Sequence, residues 1–475
     1  MNGFGEVNFG MPKAGGPGQL SPVALVGRPG FGDPPDPNAP PLPFEIPTAE
    51  FKPQVYLKDG VLQPLGSDGK LSGAVTDSGA EGLVLECHAP TVNGIYADGK
   101  SICTVSHADI TMTGDCINDF AGNGSALQAI GHSRVTLEDS KIDVSGVLRS
   151  CMLANEYANL TVKNCQLFCR GGEPAADHPG HKVPLGMPGM LQAPPSMEVD
   201  GHSRLCLVSG NSHVVFHDST LVADAWAALS TDASWGDAYL EANRCDITVE
   251  RAGYGVFADQ GCVVVLNDTK VKAASHTAMV QGHAKLRMNR CTFDSDRVGI
   301  YSFAIICPNG AQLADMSLDS CEIRAKEVPI LIRGSNAYMD LRGTKLISNS
   351  GVLIKTEIFT DPNAAKVNPG EPLYGVKAVF SDMELEGDIL HEDSNRPMAL
   401  RYSHTTHRGV IQNAAISMDK ASFWFATADS RVAAVGEFDP AQVDAPEGVS
   451  IQLLWADHPE HREITLPSGG TLIIN

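Results

Sequence analysis

No stretch of the chain keeps a 3.6-residue apolar period, so helices are not expected to carry the fold. No apolar run reaches the length of a membrane span. The opening residues, MNGFGEVNFGMPKAGGPGQ, hold no basic segment followed by an apolar core, so a secretory leader is not expected. Cysteines are present, but none sit in a CxxC or CxxH cluster of the zinc type. EF-hand, Walker and dinucleotide-binding loops are missing too. Positive charge is in short supply: 35 Lys and Arg face 56 Asp and Glu, a formal net charge of −21. Such a surface repels nucleic acid, and no nucleic-acid or membrane partner is expected. It also repels acidic polysaccharides unless calcium intervenes. No cofactor or metal is expected; calcium stays open, without a loop to support it.

What the chain does have is a repeat. One phrase recurs as EDSKI, KNCQL, HDSTL, NRCDI, NDTKV, NRCTF, DSCEI and RGTKL. Its small residue is Ser140, Cys165, Ser219, Cys245, Thr269, Cys291, Cys321 and Thr344 in turn, and Ala108 stands in a fainter copy. Most copies are 22 to 26 residues apart, and the two longer gaps hold insertions. A second phrase lies midway: GIYAD at Gly94, GVFAD at Gly255, HTAMVQ at His276, GIYSF at Gly299, PILIR at Pro329 and GVLIK at Gly351. Turn-forming triplets such as GHS, GNS, DQG and GSN separate the two. A period in the twenties made of short β-branched runs is the mark of a solenoid whose unit is one coil of strands.

Over residues 80 to 420 this pattern resembles the right-handed parallel β-helix of the pectin-lyase-like superfamily. The resemblance implies an all-β fold: a parallel β-helix solenoid, a single domain with end caps and loop insertions. It also implies a choice among polysaccharide lyases, glycosidases, esterases, isomerases and adhesins, because fold alone does not give function. The NTD, DD and RIK motifs of the β-helix polygalacturonases are absent.

Residues 1–50, rich in Pro and Gly, read as an extended arm. Residues 51–420 read as the solenoid, with insertions near 171–203, 303–313 and 357–376 and a shorter one, TDASWGDA, near Asp232. Residues 421–475 read as the C-terminal cap. The cysteines alternate with Ser and Thr at one repeat position, which points to small packed side chains rather than disulfides. Unpaired thiols suit a reducing compartment, so a cytoplasmic location is expected.

Alternation sorts each strand into inward and outward residues. Val256 and Ala258, Ile300 and Ser302, Ile330 and Ile332, and Val352 and Ile354 are expected inside. The outward column then reads Tyr96, Leu127, Met152, Cys206, Leu229, Phe257, Met279, Tyr301, Leu331, Leu353. An apolar outward stripe needs a cover: the arm or the 171–203 flap, another subunit in a homotrimer, or a ligand. The next column is polar, with Asp98, Thr231, Asp259, Gln281, Phe303, Arg333 and Lys355, and Asp232 one place beyond Thr231.

Acid, base, phenol and cation converge only here. Candidate catalytic residues are Asp232, Asp259, Tyr301, Arg333, Lys355, His276 and His283; candidate substrate-binding residues are Phe257, Met279, Gln281 and Leu331. Asp232 and Asp259 suit the acid and base of an inverting glycosidase. Tyr301 with Arg333 or Lys355, and His276 or His283 as base, suit elimination or isomerisation. The expected protein is an intracellular enzyme acting on a small hydroxylated or glycosidic, partly apolar substrate. The alternative is a non-catalytic binding or scaffold solenoid whose stripe is a protein interface.

Overall fold

The computed structural model describes residues 45–47, 49–232, 238–303, 313–360, 374–456, 458 and 460–475. The arm 1–44, and most of the insertions near 232, 303–313 and 357–376, lie outside the described residues. The fold is all-β and mostly parallel. Among the described residues helical structure is confined to short 3-10 turns such as Pro179–Lys182, and no helix is long and apolar enough to cross a membrane. The chain divides into two compact units, one ending at Ala278 and one beginning at Met279.

In the first unit each coil gives one strand to each of three parallel ladders. One ladder runs Lys52–Lys58, Val92–Asp98, Leu127–Ala129, Met152–Ala154, Arg204–Ser209, Trp226–Asp232, Gly253–Ala258. The second runs from Ile102–Ser106 to Val263–Asn267, and the third from Gly79–Cys87 to Lys270–Ala273. The second unit repeats the arrangement, with ladders that include Val298–Phe303, Val328–Arg333 and Val352–Glu357. A separate small sheet holds Glu384–Glu386, Thr406–Arg408, Phe423–Phe425 and Val443–Asp444.

The repeated phrase has a local cause. In all eight copies the residue before the small one has a left-handed backbone: Asp139, Asn164, Asp218, Arg244, Asp268, Arg290, Ser320 and Gly343, with φ between 49° and 52° except for 55° at Ser320. Each is a sharp corner between two strands. The small side chain then donates to the carbonyl two residues back, as Ser140 does to Glu138 (2.6 Å), Ser219 to His217 (2.7 Å) and Thr269 to Asn267 (3.0 Å). It also accepts an N–H from the corner of the preceding coil: Ala108 to Ser140, Cys165 to Ser219, Cys245 to Thr269 and Cys321 to Thr344. A purely apolar side chain there leaves both partners unsatisfied. The eleven described cysteines are all free and buried, as packing residues are.

Near the far end of the second unit, His407 is buried between the Tyr402 hydroxyl (2.9 Å) and the Gly387 carbonyl (2.7 Å). Its Nε2 therefore carries the proton and its Nδ1 accepts from the tyrosine. Burial pushes the imidazole down to about 4 from 6.5.

Two predictions follow from these contacts. Ser219→Ala strands the Cys165 N–H and is expected to cost about 1–3 kcal/mol in urea unfolding, while Ser219→Thr stays near wild type. The unfolded state protonates His407 before the folded state does, so its contribution is intact above pH 6.5 and is lost as pH falls towards about 4. His407→Gln should flatten that part of the stability-against-pH curve.

Candidate functional site

The first unit places the outward residues of the strand ladder differently from the sequence expectation. Register aligns Tyr96, Gln128, Leu153, Leu207, Ser230 and Phe257 in one file. Leu127, Met152, Cys206 and Leu229 align instead with Ile95 and Val256, one residue away. The expected column therefore mixed two files. The reason is physical: strands such as RLCLVS are buried at every position, so alternation is invisible in them.

The true file is neither wholly apolar nor open. Gln128 accepts from Asn93 (3.0 Å) and donates to the Ala121 carbonyl (3.0 Å), and Tyr96 lies under Phe51 with ring centroids 5.3 Å apart. All six residues are at most 8 % exposed. The 171–203 flap is pinned to this unit through histidines. His178 meets the Cys116 carbonyl at 2.8 Å, and His276 meets the Met197 carbonyl at 3.0 Å. His276 is fully buried, and because a carbonyl only accepts, its Nε2 must carry a hydrogen. It is placed as a flap anchor.

Asp232 pairs with Ser209 across the ladder, and the offset that joins Leu229 to Val256 and Ser230 to Phe257 brings Asp232 level with Asp259. Thr231 points the other way. It is buried, donates to the Phe257 carbonyl (2.9 Å) and accepts from the Asp259 amide (3.0 Å). The outward polar file in this unit thus runs through Asp232, not Thr231. Asp259 is 8 % exposed and Asp232 is half-buried.

Beside these carboxylates is a cluster that the sequence reading missed. The Arg204 guanidinium is sandwiched between the rings of Phe120 (4.3 Å) and Trp226 (4.6 Å), and its Nη2 meets the Asp119 carboxylate at 3.0 Å. Both partners are buried. Burial pushes the Asp119 carboxyl up, against the pull of Arg204. Tyr254 shares a hydrogen bond with Ser230 (2.8 Å) and packs edge-on against Phe257. Burial pushes its phenol up to about 12; Arg204 opposes this, while Asp232 and Asp119 reinforce it. The available signal was a lone charge opening an apolar run, Arg204 in RLCLVS.

In the second unit Tyr301, Leu331 and Lys355 share one file, and Phe303, Arg333 and Glu357 share the next. Lys355 was expected beside Arg333 and Leu353 beside Leu331. A register shift between Val352 and Ile354, seen in the pairing with Asp388–His391, marks this strand as irregular, which the sequence does not signal. Arg333 lies 3.3 Å from the Tyr301 hydroxyl, with its guanidinium 5.3 Å from the ring, and Tyr301 stacks on Phe303 at 4.9 Å. Glu357 binds Arg333 (2.9 Å) and Lys355 (2.8 Å), and Lys355 also reaches Glu392 (3.2 Å). Burial pushes Glu357 up, but the bonds from Lys355 and Arg333 outweigh it and hold the carboxyl low. The bond to Glu357 raises Lys355, with burial opposing. Lys355 is therefore a held cation, not a base. Met279 and Gln281 are buried, and His283 is half-buried just beyond the strand His276–Gln281.

No family model matches the chain, and a search of curated proteins found no similar sequence. The site must be judged on its chemistry. Among the described residues no group of three or more His, Cys, Asp or Glu is placed to hold a metal ion. The first unit offers paired carboxylates next to a phenol and an aromatic floor; the second offers a phenol–cation network.

The Arg204 arrangement is testable by stability. Asp119→Ala leaves a buried guanidinium uncompensated and should cost about 3–5 kcal/mol in urea unfolding. Adding Arg204→Met to that variant should restore much of the loss.

Proposed function

We propose that this chain is a right-handed parallel β-helix enzyme of the pectin-lyase-like kind that hydrolyses a small glycoside. The observation that carries the proposal is the register of Leu229 with Val256 and Ser230 with Phe257, which, carried two residues further, brings Asp232 beside Asp259 just past the strand end. Neighbouring strands are about 4.8 Å apart. Two carboxyl groups at about 5–5.5 Å suit a retaining mechanism, whereas an inverting pair needs about 6.5–9.5 Å for the intervening water. A carboxyl separation close to the strand spacing favours retention over the inversion expected from sequence. One carboxyl attacks the anomeric carbon while the other protonates the leaving oxygen; the second then deprotonates the water that releases the sugar.

Elimination at Tyr301 is less well supported, because Arg333 and Lys355 are engaged by Glu357 and Glu392. A scaffold role for the stripe is also less well supported, because its residues in the first unit are covered by this chain. Free buried thiols favour a reducing, cytoplasmic setting.

The test is turnover of a panel of aryl α- and β-glycosides. Wild type should release phenol from at least one member with retained anomeric configuration. Asp232→Asn and Asp259→Asn should each lower turnover by about 10²–10⁴-fold with an unchanged unfolding midpoint. No release by wild type from any member, or undiminished release by both variants, removes this reading.

A further inference from the structure

In the order of the repeat, the corner residues alternate between thiol and hydroxyl: Cys165, Ser219, Cys245, Thr269. The alternation then breaks, and Cys291 is followed by Cys321 before Thr344 restores a hydroxyl. We propose that Cys291 and Cys321 are an oxidation site, at which hydrogen peroxide joins two neighbouring coils of the second unit through a reversible disulfide.

Among the corners of the repeat the geometry is specific to this pair. The strands that follow the two corners are in register, Thr292 with Glu322 and Phe293 with Ile323, so the corners themselves are stacked. Stacked strands place Cα atoms about 4.8 Å apart, inside the range of about 4.4–6.8 Å that a disulfide spans. The Cys291 amide donates to the Cys321 sulfur at 3.4 Å, so that sulfur already faces the neighbouring corner. Both side chains are buried, but each follows an exposed left-handed residue, Arg290 or Ser320. Loosening of one turn is enough to admit a small oxidant.

Reactivity also differs from corner to corner. Burial pushes the thiols of Cys165 and Cys245, whose neighbours are hydroxyls, up to about 11. The Cys321 thiol is instead held below its usual value, chiefly by the hydrogen bond from the Cys291 thiol, with burial opposing. The thiolate is the form that reacts with peroxide.

The chemistry balances. The Cys321 thiolate attacks one peroxide oxygen, the O–O bond breaks, and a sulfenic acid and hydroxide form. The Cys291 thiol attacks the sulfenic sulfur; an S–S bond forms, the S–O bond breaks, and water leaves. The proton first lost by Cys321 converts the hydroxide to a second water. Two thiols are oxidised by two electrons, and one peroxide is reduced to two waters. The proposal is independent of the glycosidase reading, since it uses no residue of that site.

The experiment treats the full chain with hydrogen peroxide, followed by intact mass, non-reducing peptide mapping and thermal melting. The expected result is a loss of about 2 Da, a Cys291–Cys321 linked peptide, reversal by dithiothreitol, and a melting point raised by roughly 5 °C. Cys321→Ser should fold, because Ser140 and Ser219 occupy the same corner elsewhere, and it should lose both the mass change and the shift. A Cys151–Cys169 bridge in place of this one, oxygen added to Cys321 without a bridge, or an unchanged mass overturns the proposal.

Discussion

The structure depends on one contact made again and again: the amide of one corner donating to the side-chain oxygen or sulfur of the corner on the next coil. The contact is made by Ala108 with Ser140, Cys165 with Ser219, Cys245 with Thr269, Cys291 with Cys321 and Cys321 with Thr344. It fixes where each coil turns. Once the turning point is fixed, the strands that leave it are in register with those above and below. Register in turn decides which side chains share a face. The alignment that brings Asp232 beside Asp259 lies between the corners at Ser219, Cys245 and Thr269.

This constraint also explains what the cysteines are doing. A thiol at the corner donates weakly to the carbonyl two residues back and fills the space of a hydroxyl, as Cys165 and Cys245 do. It accepts poorly. Where the accepting group is a hydroxyl, the corner is well satisfied. Where thiol meets thiol, at Cys291 and Cys321, the arrangement is chemically unlike the rest of the repeat.

Much of the fold was legible in the sequence because the corner phrase is local. A polar residue able to adopt the left-handed region, then a small donor, then an apolar strand residue is readable without tertiary knowledge. The inward alignment of Ile300 with Ile330 matches the expectation, whereas Ile330 meets Ile354 rather than Val352, because the irregular strand Val352–Glu357 enters two residues out of step. The outward file between Tyr96 and Phe257 was misread because its middle strands are buried at every position. A covered outer face loses the polar residues that would mark it. The Arg204–Asp119 pair escaped notice because its partners come from a strand and a turn some 85 residues apart, brought together only by the fold. Of the candidate residues, Asp232 and Asp259 come level in the first unit, and Tyr301, Arg333 and Lys355 gather in the second. His276 is committed to the flap.

The corner ladder can be measured directly by amide hydrogen exchange on the native protein. The amides of Ala108, Cys165, Cys245 and Cys321 are the donors of the ladder and lie at turns, where exchange is ordinarily fast. The account predicts that they exchange as slowly as amides in the middle of the adjoining strands. Exchange at the rate of the exposed turn amides around them would mean that the coils are not tied corner to corner, and the register on which the site rests would lose its cause.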